Sequence, residues 1–159
     1  MGLDASVYCN CFETGLLRTQ PRDDFDVYVS KIGAIECGNC DLEICMAFDT
    51  WRFNDACEHE DTILTHHYIG NTACVDRLRE ELHKNAELFP IILEKIIYTG
   101  THSGDHLTID VVLKLELEVR MLPNLHCEEK RSQEVLDYFY TQLLDLVECA
   151  KLMNKPIAF

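Results

Sequence analysis

The hydrophobic pattern of this chain changes along its length from the period of a β-strand to the period of an α-helix. Residues 3–9 and 26–31 alternate and carry β-branched and aromatic side chains, which predicts two early strands. From residue 72 onward, apolar side chains recur mainly at helical spacing. Strands followed by helices favour an α+β fold, in which an antiparallel or mixed sheet has three main helices packed on one face. No shift in composition divides the chain, so we expect a single domain over residues 1–159.

Three segments carry both a capping residue and an apolar stripe. Asn71, Thr108 and Ser132 can each accept hydrogen bonds from the first turn of a helix. The middle segment also alternates as a strand would, but its i,i+4 charge pairs favour a helix. We therefore predict helices over 72–84, 109–122 and 133–154.

Two further segments are typical of strands. Gly38-Asn39 forms a two-residue turn signal between alternating runs, which predicts a β-hairpin with Cys37 directly opposite Cys40. The spacing of these two cysteines also fits a zinc knuckle, although the hairpin already explains the Gly-Asn pair. Pro90 opens a run rich in β-branched residues, and we interpret this run as a buried strand that ends at Gly100.

The charge balance limits the classes of partner. Twenty-eight acidic and fourteen basic residues give a formal net charge of −14. A nucleic-acid backbone or an anionic membrane would be repelled by such a chain, whereas a cation or a basic protein would be attracted. The first residues lack the pattern of an export signal and no apolar run is long enough to span a membrane, so we expect a cytoplasmic protein.

The chain contains nine cysteines, an odd number that cannot all be paired in disulfides. In a reducing compartment they are thiols, and they serve as small apolar core residues, as redox groups or as metal ligands. Cys9 and Cys11 lie at the end of a predicted strand, where a period of two points both sulfurs to the same face. That arrangement suits two ligands of one soft metal ion as well as two packed thiols.

The densest polar segment runs from residue 56 to residue 67 and combines Cys57 and His59 with two further histidines and three carboxylates. It lacks the second histidine that a HExxH metalloprotease motif requires, and it could equally form a solvated acidic turn. A second polar segment, residues 98–106, contains His102 and two glycines between a predicted strand and a predicted helix. Loops in that position often carry functional groups, although glycines also serve plain connections.

Four blocks of the sequence, MGLDASVYCNC, ACEHED, HHYIGN and YTGTHSGDH, resemble those of a group of short, uncharacterised bacterial proteins. The resemblance extends over most of the chain. It implies a bacterial origin, but it implies no activity, cofactor or catalytic residue.

These observations lead to two hypotheses from different classes. The first is a metal-binding protein that holds a divalent metal, zinc, through Cys57, His59 and His102, with Cys9 or Cys11 completing a tetrahedral set. Glu58, Glu60 and Asp105 would then orient the imidazoles or act on a metal-bound water. A site with an open fourth position would allow hydrolysis, whereas four protein ligands would make the metal structural, so enzymatic activity is left open.

The alternative is a non-catalytic acidic interaction protein, similar in role to an immunity protein or inhibitor, that binds a basic protein partner. The net charge of −14 favours this second hypothesis, which needs no clustered site. The sequence does not decide whether the chain forms a homo-oligomer.

Overall fold

The computed structural model describes residues 2–102 and 104–159. The strands are β1 (Gly2–Tyr8), β2 (Val27–Val29), β3 (Ile35–Cys37), β4 (Ile63–Asn71), β5 (His106–Leu107) and β6 (Ile157–Ala158). The helices are α1 (Cys11–Thr14), α2 (Leu42–Asn54), α3 (Thr72–His83), α4 (Ile109–Met121) and α5 (Lys130–Met153). Short helical turns cover Asp23–Phe25, Glu60–Thr62, Ala86–Leu88, Ile92–Ile96 and Leu122–Asn124. The predicted α+β class is confirmed.

The main sheet is antiparallel and has the strand order β4-β1-β6-β5. In β1 the side chains alternate, so that Leu3, Ala5 and Val7 are buried while Asp4 lies on the other face. The buried side chains of β1 pack with those of α3, α4 and α5 in one core. The three predicted helices therefore cover the inward face of the sheet, and the predicted packing is confirmed.

A smaller apolar cluster lies beside this core. The two-stranded sheet of β2 and β3 packs with α2, and the rings of Phe25, Phe48 and Trp51 lie with their centroids 5.7 to 5.9 Å apart. The indole nitrogen of Trp51 donates a hydrogen bond to the backbone oxygen of Thr19 at 3.0 Å. This bond connects the segment before β2 to α2.

The three helices predicted from a cap and an apolar stripe are present, with small differences at their first turns. The carboxamide oxygen of Asn71 accepts a hydrogen bond from the backbone N–H of Cys74 at 3.0 Å, and α3 begins directly after it. Thr108 occupies the N-cap position of α4, but its side chain makes no capping hydrogen bond. α5 begins at Lys130, slightly before the predicted cap Ser132, whose buried hydroxyl accepts a hydrogen bond from Arg77 at 3.2 Å.

The predicted hairpin around Gly38-Asn39 is wrong. β3 pairs with β2, and Cys37 lies opposite Val27 and not opposite Cys40. The carboxylate of Asp41 accepts hydrogen bonds from the backbone N–H groups of Glu43 and Ile44 at 2.9 and 3.2 Å, which starts α2 at the position predicted for the second strand. A local N-cap therefore prevails over a short alternating pattern.

The predicted buried strand over residues 90–100 is also wrong, because Ile92–Ile96 forms a π-helical turn. Both oxygens of the buried Glu118 carboxylate accept hydrogen bonds at its start, from the backbone N–H groups of Ile91 and Ile92, each at 2.9 Å. Because this cap comes from α4, the sequence of residues 90–100 itself does not indicate it. Within residues 2–102 and 104–159, no helix is both long enough and apolar enough to cross a membrane.

Candidate metal centre

Two loops meet at one end of the main sheet and bring together four potential metal ligands. Cys9 and Cys11 follow the last residue of β1, whereas Cys57 and His59 precede the first residue of β4. β1 and β4 are antiparallel neighbours, so the end of one strand lies beside the start of the other. The backbone N–H of Cys9 donates to the oxygen of Thr62 at 2.8 Å, which continues this pairing into the loops.

The ligand atoms of these four residues all lie within 4.8 Å of one another. The sulfurs of Cys9 and Cys57 are 3.7 Å apart, and the Nδ1 atom of His59 lies 3.5 Å from the sulfur of Cys11 and 3.7 Å from that of Cys57. Tetrahedral zinc with Zn–S and Zn–N bonds of about 2.3 and 2.05 Å separates two sulfurs by about 3.8 Å and sulfur from nitrogen by about 3.6 Å. Three of the six distances between the four ligand atoms therefore match a tetrahedral Cys3His site, and the other three are no longer than 4.8 Å.

The thiols of the centre are shielded from solvent, while His59 is half-buried. The three cysteines are buried, with 4 to 7% of their surface exposed, and Leu17 and Leu64 pack against them. Burial raises the pKa of the Cys9 thiol to about 12, and burial also raises the pKa of Cys11. These thiols stay protonated at neutral pH unless a bound cation replaces the protons. The cluster can therefore hold a metal.

The turn that carries His59 is held in an unusual backbone conformation. Asp61 and Thr62 have φ values of 50° and 59°, in the left-handed region that residues other than glycine rarely adopt. The guanidinium of Arg52 lies 3.0 Å from the carboxylate of Asp61. The backbone N–H of Arg18 bonds to the oxygen of Ala56 at 2.9 Å. The surrounding chain therefore fixes the loop that presents Cys57 and His59.

The structure does not bring the fifth predicted ligand, His102, to this cluster. Its ring packs against Tyr98 with a centroid separation of 4.2 Å, and its Nδ1 atom lies 3.7 Å from the carboxylate of Asp105. His102 lines a cleft together with Gly2 and Leu3, at the start of β1, while Cys9 follows its end. Seven residues of strand separate those ends by about 20 Å. Instead, Cys9 and Cys11 both join Cys57 and His59.

The carboxylates predicted to orient the imidazoles have other neighbours. Glu58 is exposed and lies 3.7 Å from Arg18. Asp105 accepts a hydrogen bond from the hydroxyl of Tyr98 and lies beside His102, at the other end of β1. The remaining cysteines lie outside the cluster, and all nine are free thiols. Cys37 and Cys45 both contact the backbone oxygen of Asn39, which places them around the start of α2.

No protein-family model, curated protein or solved structure matches this chain. The resemblance of its sequence blocks to a bacterial group therefore stays a prediction.

Proposed function

We propose that this protein binds one zinc ion through Cys9, Cys11, Cys57 and His59 and that the ion has a structural role. The observation that carries the proposal is that the four ligand atoms lie within 4.8 Å of one another, and that three of their six distances agree with a tetrahedral zinc site to within about 0.1 Å. Burial of all three thiols supports it further, because a bound cation compensates the thiolate charges that an apolar environment disfavours.

The donor set favours zinc over other common cations. Calcium and magnesium take oxygen ligands in larger coordination shells, whereas three thiolates and one imidazole are soft or intermediate donors. Iron–sulfur clusters commonly use four cysteines and need room for inorganic sulfide between the ligands. Sulfurs 3.7 Å apart leave room for one small ion.

Four protein ligands occupy every position of a tetrahedral zinc ion. Catalytic zinc sites keep one position for water or substrate, so the closed set supports a structural role over a hydrolytic one. The ion would join the end of β1 to the loop before β4. Cys9 and Cys57 are 48 positions apart in the chain, so the unfolded protein has no preformed site and metal binding would be coupled to folding.

The test is elemental analysis of protein purified without chelator, together with cobalt substitution. We expect about one zinc per chain, and a cobalt form with the strong thiolate-to-metal charge-transfer absorption and the visible bands of a tetrahedral site. Cys57→Ser and His59→Ala should each reduce the bound metal well below one equivalent. The matched controls are Cys74→Ser and His83→Ala, which change the same residue types on α3.

The proposal would be overturned if the purified protein contained far less than one equivalent of metal and if adding zinc to the reduced protein did not raise this content. It would also fail if all four variants retained the same metal content. Circular dichroism identifies a variant that does not fold. In that case the metal content of the wild-type protein alone decides whether the chain binds one zinc ion.

The charge distribution supports a second candidate, an acidic interaction protein that binds a basic partner. At least ten of the fourteen basic side chains lie within 4 Å of a carboxylate of the same chain. Because the chain has twice as many acidic as basic residues, many carboxylates have no basic side chain of their own to pair with. Such a complex should form at low salt and dissociate at high salt. Failure to retain any basic protein at low ionic strength would count against this candidate.

A further inference from the structure

The outward side of α2 carries a stripe of large apolar side chains. Leu42, Met46 and Phe53 are 73%, 63% and 49% exposed, and their spacing places them along one side of the helix. The opposite side of α2 is apolar as well, since Phe48 and Trp51 are buried in the smaller cluster. A surface helix normally has polar residues on its outer side, so this second stripe is typical of a surface that another molecule covers. We call Leu42, Met46 and Phe53 the outer stripe.

The charges around the outer stripe are mostly negative. α2 and its two cap residues contain four acidic residues and one basic residue, a formal charge of −3. The acidic residues, Asp41, Glu43, Asp49 and Asp55, are all exposed. Among the residues that the structure describes, no basic side chain lies within 4 Å of the carboxylates of Glu43 and Asp55. These carboxylates are therefore available to a partner.

The basic residue of α2, Arg52, is held towards the buried side of the helix. Its Nε atom lies 3.0 Å from the carboxylate of Asp61, and the centre of its guanidinium is 5.7 Å from the ring centroid of the buried Phe48. The carboxylate of Asp49 is 67% exposed and approaches the guanidinium only to 3.7 Å. The surface along the outer stripe therefore stays negative and favours a positively charged partner.

The same charges count against other occupants. A second copy of this chain would bring its own acidic residues to the surface, and like charges that face each other are unfavourable. An anionic membrane would be repelled for the same reason.

Charge also distinguishes the outer stripe from another exposed apolar surface of the chain. Leu113 and Leu117 of α4 are 49% and 66% exposed, but the same helix contains Lys114 and Arg120. That surface has no single sign of charge, so it does not select a basic partner.

We propose that the outer stripe is the docking site for a basic amphipathic helix of a partner protein. This inference rests on the second candidate function, the acidic interaction protein, and names its binding surface. The stripe spans about 16 Å of helix, which about three turns of a partner helix would match. Apolar residues of the partner would cover the stripe, while lysine or arginine residues beside them would pair with Glu43 and Asp49. An apolar centre with a polar rim is the usual composition of a protein interface.

The experiment uses a synthetic peptide as the probe and the full chain as the receptor. The peptide has about 18 residues of leucine and lysine, arranged so that leucine forms one side of a helix. Its control has the same composition in a scrambled order, which keeps the charge and removes the apolar side. Fluorescence anisotropy at low salt should show that the helical peptide binds at least about tenfold more tightly than the scrambled peptide. Backbone amide resonances of residues 42–54 should shift when it binds.

Substitutions on α2 and matched substitutions on α5 locate the site. Met46→Gln and Phe53→Gln should each weaken binding of the helical peptide at least about fivefold, as expected for residues at the centre of an interface. Leu152→Gln should leave binding unchanged, although Leu152 is 79% exposed. Glu43→Gln should weaken binding and reduce its dependence on salt, whereas Glu148→Gln, which removes an exposed carboxylate of α5, should do neither.

Three results would overturn the proposal. The first is a scrambled peptide that binds as tightly as the helical one, and the second is an equal effect of Met46→Gln and Leu152→Gln. Both would leave the second candidate function standing, because attraction by charge alone would remain. The third is a wild-type dimer in sedimentation that Met46→Gln dissociates, since the stripe would then be covered by a second copy. If neither peptide binds at low salt, the docking site and the second candidate function both fail.

Discussion

Removal of the proposed zinc ion should lower the stability of this protein without unfolding its main core. By linkage, zinc at a free concentration about a thousand times its dissociation constant stabilises the folded chain by about 4 kcal/mol. For a chain of this size, 1 kcal/mol corresponds to about 2–4 °C in the unfolding midpoint, so chelation should lower the midpoint by about 8–16 °C. The main core contains none of the four ligands, so the apo-protein should keep its sheet and α3 to α5.

The loss of structure should be local, and hydrogen exchange should detect it. The amide of Cys9, bonded to Thr62, and the amide of Arg18, bonded to Ala56, connect the two loops of the site. Both should exchange faster after chelation, while amides in the middle of α5 should stay protected. The thermal measurement is circular dichroism of wild-type protein with chelator, without chelator, and with zinc restored in excess.

Two variants separate this effect from general damage. Cys57→Ser should have a low midpoint that the chelator does not lower further, whereas Cys74→Ser should respond to the chelator as the wild type does. An identical midpoint for zinc-loaded and chelated wild type would refute the reasoning. An equal chelator response in Cys57→Ser would refute the assignment of the ligands.

Individual contacts elsewhere in the chain lead to further predictions. His102→Ala should retain about one zinc per chain by elemental analysis, because His102 lies at the other end of β1. Glu118→Ala should lower the free energy of unfolding in urea by about 2–4 kcal/mol, since two backbone donors lose their acceptor, and Glu118→Gln should cost less. Asp41→Ala should cost about 1 kcal/mol in the same assay through loss of the α2 cap. The hydrogen bond with His67, followed by that from Thr65, lowers the pKa of Asp145, so its stabilisation is present at neutral pH and is lost as pH falls through that lowered pKa. Asp145 is exposed, so Asp145→Asn should be less stable at neutral pH by under about 1 kcal/mol and should match the wild type in acid.

The elements that are predicted correctly from the sequence are those whose stabilising residues lie within the element or directly beside it in the chain. The stripe of α3 and its Asn71 cap are both local, and so are the apolar faces of α4 and α5. The strand prediction for residues 90–100 is wrong because Glu118 caps their helical turn from another helix. β-branched residues favour strands only weakly, and a tertiary contact of this kind is enough to reverse the preference.

The ligand types can be recognised from the sequence, but the ligand set cannot. Cys57, His59 and His102 each have suitable chemistry, and nothing local shows that His102 lies beside Gly2 and Leu3. Cys9 and Cys11 are recognisable as a pair on one face, yet which histidine accompanies them depends on contacts between segments about fifty residues apart.

The strand β4 is not predicted from the sequence. Thr65, Tyr68 and Ile69 are residues typical of strands, but the polar cluster around them obscures the pattern. Once β4 is placed antiparallel to β1, Tyr8 lies opposite Ile63, and the segment after β1 must meet the segment before β4. That pairing brings the motif Cys-x-Cys to the motif Cys-x-His. Assignment of this one strand therefore decides which side chains form the proposed metal centre.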